Sequence, residues 1–231
     1  HSVQLFDSFD PNIAVVVSAP EDKAVNLGQI IAESGKVGIY GGLITQKGTV
    51  SADSAVVGEN GRIFFKATKD VTLDKDSTTS AKKGDIRIFG GMEDGIVDIA
   101  GIIDASAPYG GDGGFIETSA ACVKVKDTAK VTTLAPYGKI GEWLIDPPDF
   151  TIASTDGDID GTTLGGLLSS SNVTIHTAEG TDGPADQYGE TGTNGDIFVN
   201  DTVTWNANTL ILDAFRNIEI NSTLNGSGTA S

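Results

Sequence analysis

Residues 61–81 read Gly-Arg-Ile-Phe-Phe-Lys-Ala-Thr-Lys-Asp-Val-Thr-Leu-Asp-Lys-Asp-Ser-Thr-Thr-Ser-Ala, and three short runs lie within them. The first alternates Ile63, Phe65 and Ala67 with Phe64 and Lys66. A second run follows at Val71–Leu73 and a third at Thr78–Ala81. Alternation with a period of two is typical of a β-strand whose two sides meet different surroundings. The stretch therefore predicts one unit made of three short strands.

The same unit recurs along the chain, each time opened by a glycine. The first steps between these glycines are 26, 23 and 29 residues, and the openings are Gly35, Gly61, Gly84, Gly113-Gly114 and Gly195. Repeats of this length with several short strands predict an all-β, right-handed parallel β-helix. A β-sandwich or jelly roll is the alternative, since Glu59–Gly61 and Thr193–Gly195 resemble hairpin turns.

The repeat defines the domain organisation that we expect. Residues 1–24 are the start of the chain, irregular or an early coil, and residues 25–231 form a single continuous β-helix. Two polar, glycine-rich stretches interrupt the repeat, at about 153–166 and 177–194. We predict that both are loops extruded from the rod, a position in which repeat proteins often carry binding residues.

Charge and composition exclude several classes of function. With 15 Lys and Arg against 32 Asp and Glu, the formal net charge is −17, which disfavours nucleic acid and anionic lipid as partners. One cysteine excludes an intrachain disulfide and a multi-cysteine zinc site. The sequence has no apolar run near the ~20 residues of a membrane span. We therefore expect a monomeric rod that does not insert into a membrane.

Two segments resemble a known family. Gly113-Gly114-Phe115-Ile116-Glu117-Thr118-Ser119-Ala120 and the later Glu142-Trp143-Leu144-Ile145-Asp146-Pro147 resemble a signature of the filamentous-haemagglutinin-like, high-molecular-weight adhesins of two-partner secretion. The resemblance covers about residues 25–225, with further matching stretches at Asn26–Ile30, Gly35–Ile39, Gly48–Ala52, Asn172–Ile175, Gly195–Ile197 and Asn217–Asn221.

This resemblance implies a right-handed β-helix from a Gram-negative bacterium. It also implies export through an outer-membrane β-barrel transporter, a secreted or cell-surface location, and attachment to a receptor or glycan on host cells, other bacteria or matrix. Asp10-Pro11-Asn12 is only a fragment of the Asn-Pro-Asn motifs of the family's secretion domain, so we expect a piece downstream of that domain.

Two other functions stay open for a rod of this kind. One is a β-helical polysaccharide lyase or hydrolase. The other is the stalk of a contact-dependent inhibition toxin or of a haem-acquisition exoprotein.

One candidate metal site stands out. Asp156, Asp158 and Asp160, followed by Gly161, match the opening of a calcium loop, in which alternate carboxylates converge on a hard cation. Leu167 stands where an EF-hand needs glutamate, so the motif is not a complete EF-hand. The alternative is an acidic surface loop, and we predict no other cofactor.

No catalytic residue is predicted, and we expect the chain not to be an enzyme. The acidic residues that could serve a lyase show no paired spacing: Asp94, Asp98, Asp104 and Asp112. Asp146 and Asp149 flank Pro147-Pro148 and match the family's Asp-Pro turn, which favours a structural role. His176 alternates with Val173 and Ile175, so we expect it to point outward.

Three further side chains allow two interpretations each. Cys122 is either a core residue or an exposed thiol activated by Lys124 and Lys126. Trp143 and Trp205 either fill the core or offer platforms for stacking sugars. Ile218 is predicted to point into the core, so that an aspartate there would cost several kcal/mol of stability.

Overall fold

The computed structural model describes residues 2–5, 14–54, 60–177 and 195–231. Nearly all of its regular structure is β. The elements in chain order are β1 (Ser2–Leu5), β2 (Ala14–Asn26), β3 (Gln29–Ile31), β4 (Lys36–Gln46), β5 (Thr49–Ser51), β6 (Arg62–Ala67), β7 (Val71–Leu73), β8 (Thr78–Ser80), β9 (Asp85–Phe89), β10 (Ile96–Ile99), β11 (Ile102–Asp104), β12 (Phe115–Ser119), β13 (Cys122–Val125), β14 (Lys130–Thr132), β15 (Glu142–Asp146), β16 (Phe150–Ile152), α1 (Gly161–Leu167), β17 (Asn172–Thr177), β18 (Ile197–Val199), β19 (Val203–Trp205), β20 (Leu210–Ala214), β21 (Ile218–Ile220) and β22 (Leu224–Gly226).

These elements wind into a solenoid with three faces. The first face stacks β2, β4, β6, β9, β12, β15, β17 and β20, and the third face begins with β3, β5, β8, β11 and β14. The second face stacks β7, β10 and β13 beside the end of β4, and β16, β18 and β21 form the later part of this face. Apart from β1, which pairs antiparallel with β2, the paired strands are parallel. The predicted all-β parallel β-helix is confirmed.

The register of the strands lines like residues up into columns. On the first face the inward column runs through Ile63, Ile86, Ile116, Trp143 and Val173, each the Cα partner of the next. All of these side chains are buried. Burial of apolar surface at about 25 cal/mol per Å² makes this continuous core the main source of stability.

The stretch predicted as the first extruded loop, about 153–166, is instead packed into the rod. Ile159 bridges Ile152, and the Val125 amide donates to the Asp158 carbonyl, so this segment takes a strand's place between β13 and β16. Helix α1 then occupies the third face between β14 and β19, with Leu164 fully buried. The prediction was wrong because the polar run also supplies Ile159 and Leu164 to the core. In the second predicted loop, at about 177–194, residues 178–194 lie outside the described residues.

Strand β2, near the start of the chain, is already part of the solenoid. Strand β2 begins at Ala14 and pairs with β4 along its length, apart from a shift of register between Ala19 and Lys23.

No helix in the described ranges has the length and hydropathy that crossing a membrane requires.

Aspartates at the corners connect neighbouring coils. Each accepts a hydrogen bond from the backbone N–H of the next coil, at 2.8–3.0 Å; the pairs are Asp53 with Lys82, Asp70 with Ile96, Asp112 with Lys139, Asp149 with Gly195 and Asp196, and Asp196 with Asn217. A charged acceptor makes a stronger bond than a neutral one. Part of the acidic composition therefore stabilises the corners.

A column of glycines opens the strands of the first face. The carbonyl oxygens of Gly61, Gly84 and Gly114 accept from the amides of Asp85, Phe115 and Glu142 at 3.1, 2.9 and 3.2 Å. A Cβ atom on Gly84 would overlap the Gly61 carbonyl oxygen, and one on Gly114 would overlap that of Gly84. Glycine recurs at this position because the coils approach too closely for any side chain.

Ile218 lies in register with the buried Ile197, as expected for an inward position, but it is 43% exposed. The neighbouring Ile220 is 56% exposed. No strand of the described chain pairs with the other side of β21. The large loss of stability that was predicted for Ile218→Asp is therefore expected for Ile197→Asp instead.

The glycine column yields a first prediction. Gly84→Ala should destabilise the protein by about 2–4 kcal/mol, because backbone must move to make room for the methyl group. Gly28→Ala is the matched control, since a Cβ there meets nothing within 4 Å. Equilibrium denaturation by urea measures both, and equal stability of the two variants would contradict the close stacking of the coils.

The corner aspartates yield a second prediction, on pH. Hydrogen bonds from Arg216 hold the pKa of Asp196 below its ordinary value. A lowered pKa in the folded state adds stability that is complete above the unfolded carboxyl pKa and is lost as pH falls through the folded value. The parent should therefore lose more stability than Asp196→Asn as the pH falls from about pH 5 to about pH 2.

Thermal melts across this pH range measure the effect. Asp127→Asn, at an exposed position to which the described residues donate no hydrogen bond, controls for the lost charge. Identical pH profiles for Asp196→Asn and the parent would show that the Arg216 pair does not couple to folding.

Candidate functional site

The three carboxylates of the predicted calcium loop lie in three different settings. Asp156 is exposed and adopts a positive φ of 58°. Asp160 caps α1, its carboxylate accepting from the Thr163 amide at 2.8 Å and from the Thr163 hydroxyl at 2.6 Å. Asp158 turns toward β13 and β16. The D-x-D-x-D-G pattern is therefore a turn followed by a helix N-cap, and its carboxylates do not converge.

Asp158 joins three parts of the fold. One carboxylate oxygen lies 2.8 Å from the Lys124 ammonium nitrogen and 3.6 Å from the Cys122 sulfur. The other accepts from the Thr151 amide at 2.7 Å. Burial raises the pKa of Asp158, although Lys124 acts in the opposite direction. The residue thus holds the inserted segment against the second face.

The contact with Asp158 also affects the protonation of the Cys122 thiol. Burial, together with the Asp158 carboxylate, raises the pKa of the thiol to about 12. Lys124 and Lys126 do favour the thiolate, but they act more weakly. At neutral pH Cys122 is therefore a protonated, half-buried thiol and not an activated nucleophile.

The structure also places Trp143, Trp205 and His176, which the sequence analysis had considered. Trp143 is fully buried, and its indole N–H donates to the Thr118 hydroxyl at 3.1 Å. Trp205 is half-buried against the core. His176 points outward as predicted, with Nδ1 2.9 Å from an Asp213 carboxylate oxygen. Across residues 2–5, 14–54, 60–177 and 195–231, no three His, Cys, Asp or Glu side chains are grouped so as to hold a metal ion.

A groove at the corner between the third and first faces is the best candidate site. It has a volume of about 670 Å³ and runs along the rod from Asn60 to Ile211. Gly61, Gly84, Gly114 and Gly141 line it, so its backbone is open to contact. Charged and aromatic side chains at the starts of successive strands complete the lining, namely Arg62, Lys83, Asp85, Arg87, Phe115 and Glu142.

The charges in this groove are mixed and partly paired. Arg87 donates to Asp85 at 3.0 Å and to Glu117 at 3.1 Å, and its guanidinium carbon lies 5.5 Å from the centre of the Phe115 ring. Glu142 accepts from the Thr174 hydroxyl at 2.8 Å. The paired carboxylates and the aromatic ring hold the Arg87 side chain in place, which gives the groove a defined shape.

Two stacked loops lie at the same corner as the groove. They run from β11 to β12 and from β14 to β15, and the Lys139 amide of the second donates to Asp112 of the first at 2.8 Å. Their tips carry Tyr109, which is 93% exposed, and Tyr137, which is 77% exposed. Large aromatic side chains are thus presented to solvent beside the groove.

The sequence contained a signal for this site that the repeat analysis missed. Ala-Pro-Tyr-Gly occurs at residues 107–110 and again at 135–138, one coil later. Outward aromatics also cluster on the first face. The Phe64 ring centre lies 5.9 Å from that of Tyr40 and 5.2 Å from that of Phe89, although Phe64 stands one outward position away from the column that Tyr40 and Phe89 share.

Comparisons with protein-family models, with curated proteins and with solved structures found no match. The site must therefore be interpreted from its own chemistry.

The setting of Asp158 yields a third prediction. Asp158→Ala should cost about 2–3 kcal/mol, because the Thr151 amide loses its acceptor in a buried place. Asp158→Asn should cost less than half as much, since an amide oxygen can still accept that bond. Asp156→Asn, at an exposed position with positive φ that asparagine tolerates, is the control and should be near neutral.

Chemical denaturation with and without millimolar calcium tests this prediction and the metal site together. A calcium-dependent gain in stability of the parent that Asp158→Asn abolishes would contradict the arrangement described for the three carboxylates.

Proposed function

We propose that the chain is a shaft segment of a large surface adhesin exported by two-partner secretion. The observation that carries the proposal is the agreement between the resemblance and the fold. The two signature segments, Gly113–Ala120 and Glu142–Pro147, contain β12 and β15, which are adjacent rungs of one sheet. The family's signature thus corresponds to a pair of stacked coils.

In this proposal the segment acts as a spacer. A solenoid is held together by contacts between neighbouring coils, so it extends in one direction and can fold as it leaves a narrow pore. A chain with one cysteine forms no internal disulfide that would block its passage unfolded. The rod would hold a binding region away from the cell surface, toward a receptor or glycan on host cells, other bacteria or matrix.

We also propose that the segment acts without catalysis. The acidic side chains around the groove are engaged by neighbours: Asp85 and Glu117 bind Arg87, and Glu142 binds Thr174. A general acid or base needs a proton-transfer position within reach of the substrate. These carboxylates instead hold the surface in shape.

The experiment that tests the proposal is an in-frame deletion of residues 25–231 in the gene from which the chain derives. Bacteria carrying the deletion should attach to epithelial cells or matrix several-fold less well, while the remaining exoprotein still reaches the surface. Replacement of the segment by an unrelated β-helix of equal length should restore part of the attachment, because length is what the shaft supplies.

Deletion of the partner transporter is the matched test of export. It should retain the chain inside the cell, as detected by antibody labelling of intact and permeabilised cells. Unchanged attachment after deletion of the segment would contradict the adhesin proposal. So would a deletion strain that attaches normally but no longer kills neighbouring cells on contact.

A further inference from the structure

The groove along the first face has the length and regularity of a site for a chain-like ligand. Its lining comes from the starts of successive strands, from Arg62 of β6 to Ile211 of β20. At about 4.8 Å per rung, the five steps between these strands span roughly 24 Å. A ligand that follows the groove would meet equivalent backbone positions at each rung, as a polymer with a short repeat does.

Two features of the lining point to sugar rings. Phe115 lines the groove, and Tyr109 and Tyr137 lie in the loops at the same corner. Each offers an aromatic ring against which the C–H face of a pyranose ring can stack. The groove is also lined by polar side chains that can exchange hydrogen bonds with sugar hydroxyl groups, namely Arg62, Asp85, Glu142, Asn172, Thr174 and Thr209. One aromatic ring in the lining and two more beside it, together with such polar groups, fit a ligand that is apolar on ring faces and polar at ring edges.

The charge of the groove favours an uncharged ligand. Arg62, Lys83 and Arg87 stand against Asp85 and Glu142, so the lining is nearly balanced. The whole chain carries −17 and would repel a polyanion that follows the rod over its length. A peptide would need unpaired strand edges to add to, whereas the groove runs across strands whose backbone groups already bond to neighbouring rungs.

We propose that this groove binds a linear, neutral oligosaccharide of several sugar units lying along the rod axis. Phe115 stacks on one ring, and Arg62, Asp85 and Glu142 bind hydroxyl groups on successive units. Tyr109 and Tyr137 contact the ligand from the loops at the corner. The inference concerns this surface only and does not depend on export or on a role in attachment.

Binding of the purified chain to defined saccharides tests the proposal. The probes are linear gluco-, manno-, galacto- and xylo-oligosaccharides of five to seven units, with heparin, hyaluronan and polysialic acid fragments as acidic counterparts. Calorimetry or ligand-detected NMR should show at least one neutral series binding, more tightly for the longer members than for the disaccharide. Absence of binding by every neutral series would overturn the proposal, as would binding of the acidic fragments alone.

Variants locate the binding. Phe115→Ala and Arg62→Ala should each weaken the affinity at least tenfold, and Tyr109→Ala with Tyr137→Ala should weaken it several-fold. Phe89→Ala is the matched control, because Phe89 is another half-buried, outward phenylalanine of the first face that does not line the groove. Thermal melts confirm that each variant is folded. Equal loss of affinity in Phe89→Ala and Phe115→Ala would overturn the assignment to this groove.

Discussion

The rest of this structure depends on backbone hydrogen bonds that run along the rod, from each strand to the equivalent strand of the next coil. Because these parallel ladders keep register, strand positions of the first face in one coil lie over the same positions in the neighbouring coils. Inward positions become apolar columns such as Ile63, Ile86 and Ile116. Corner positions become columns of glycine or aspartate, and outward positions become rows of aromatic and charged side chains. The groove is one such outward row, and its floor is the glycine column.

The same constraint explains how the rod tolerates an insertion. Residues 153–168 contribute one bridge and a short helix instead of regular strands, yet the open hydrogen-bonding groups around them find partners. The Asp158 carbonyl accepts from Val125, and the Asp201 carboxylate accepts from the Gly161 amide at 2.9 Å. The carboxylates therefore serve the fold at two levels, as acceptors between coils at the corners and as partners of the inserted segment. A net charge of −17 is compatible with a stable rod because part of that charge is engaged in these bonds.

Much of the fold could be predicted because its determinants are local. Ile63–Ala67 alternates since its two sides meet core and solvent, and Gly61 and Gly84 mark the coil because no side chain fits there. The role of Asp156–Asp160 could not be predicted in the same way. The pattern is equally suited to a calcium loop and to a turn before a helix, and the deciding contacts come from Cys122 and Lys124, more than 30 residues away. The groove was missed because its residues belong to coils of unequal length, so that no fixed spacing links Arg62, Phe115 and Glu142.

Cross-linking between stacked positions tests the central claim most directly. Thr72, Asp98 and Lys124 are successive Cα partners on the second face. The Cα atoms of stacked partners lie about 4.8 Å apart, which is within the range that a disulfide can span. The Cα atoms of positions two coils apart are too far from each other for a disulfide. In a Cys122→Ser background, cysteine pairs at 72 and 98 and at 98 and 124 should form intrachain disulfides rapidly, and the pair at 72 and 124 should not. Efficient cross-linking of 72 with 124, or of neither adjacent pair, would contradict the stacked coil on which this account rests.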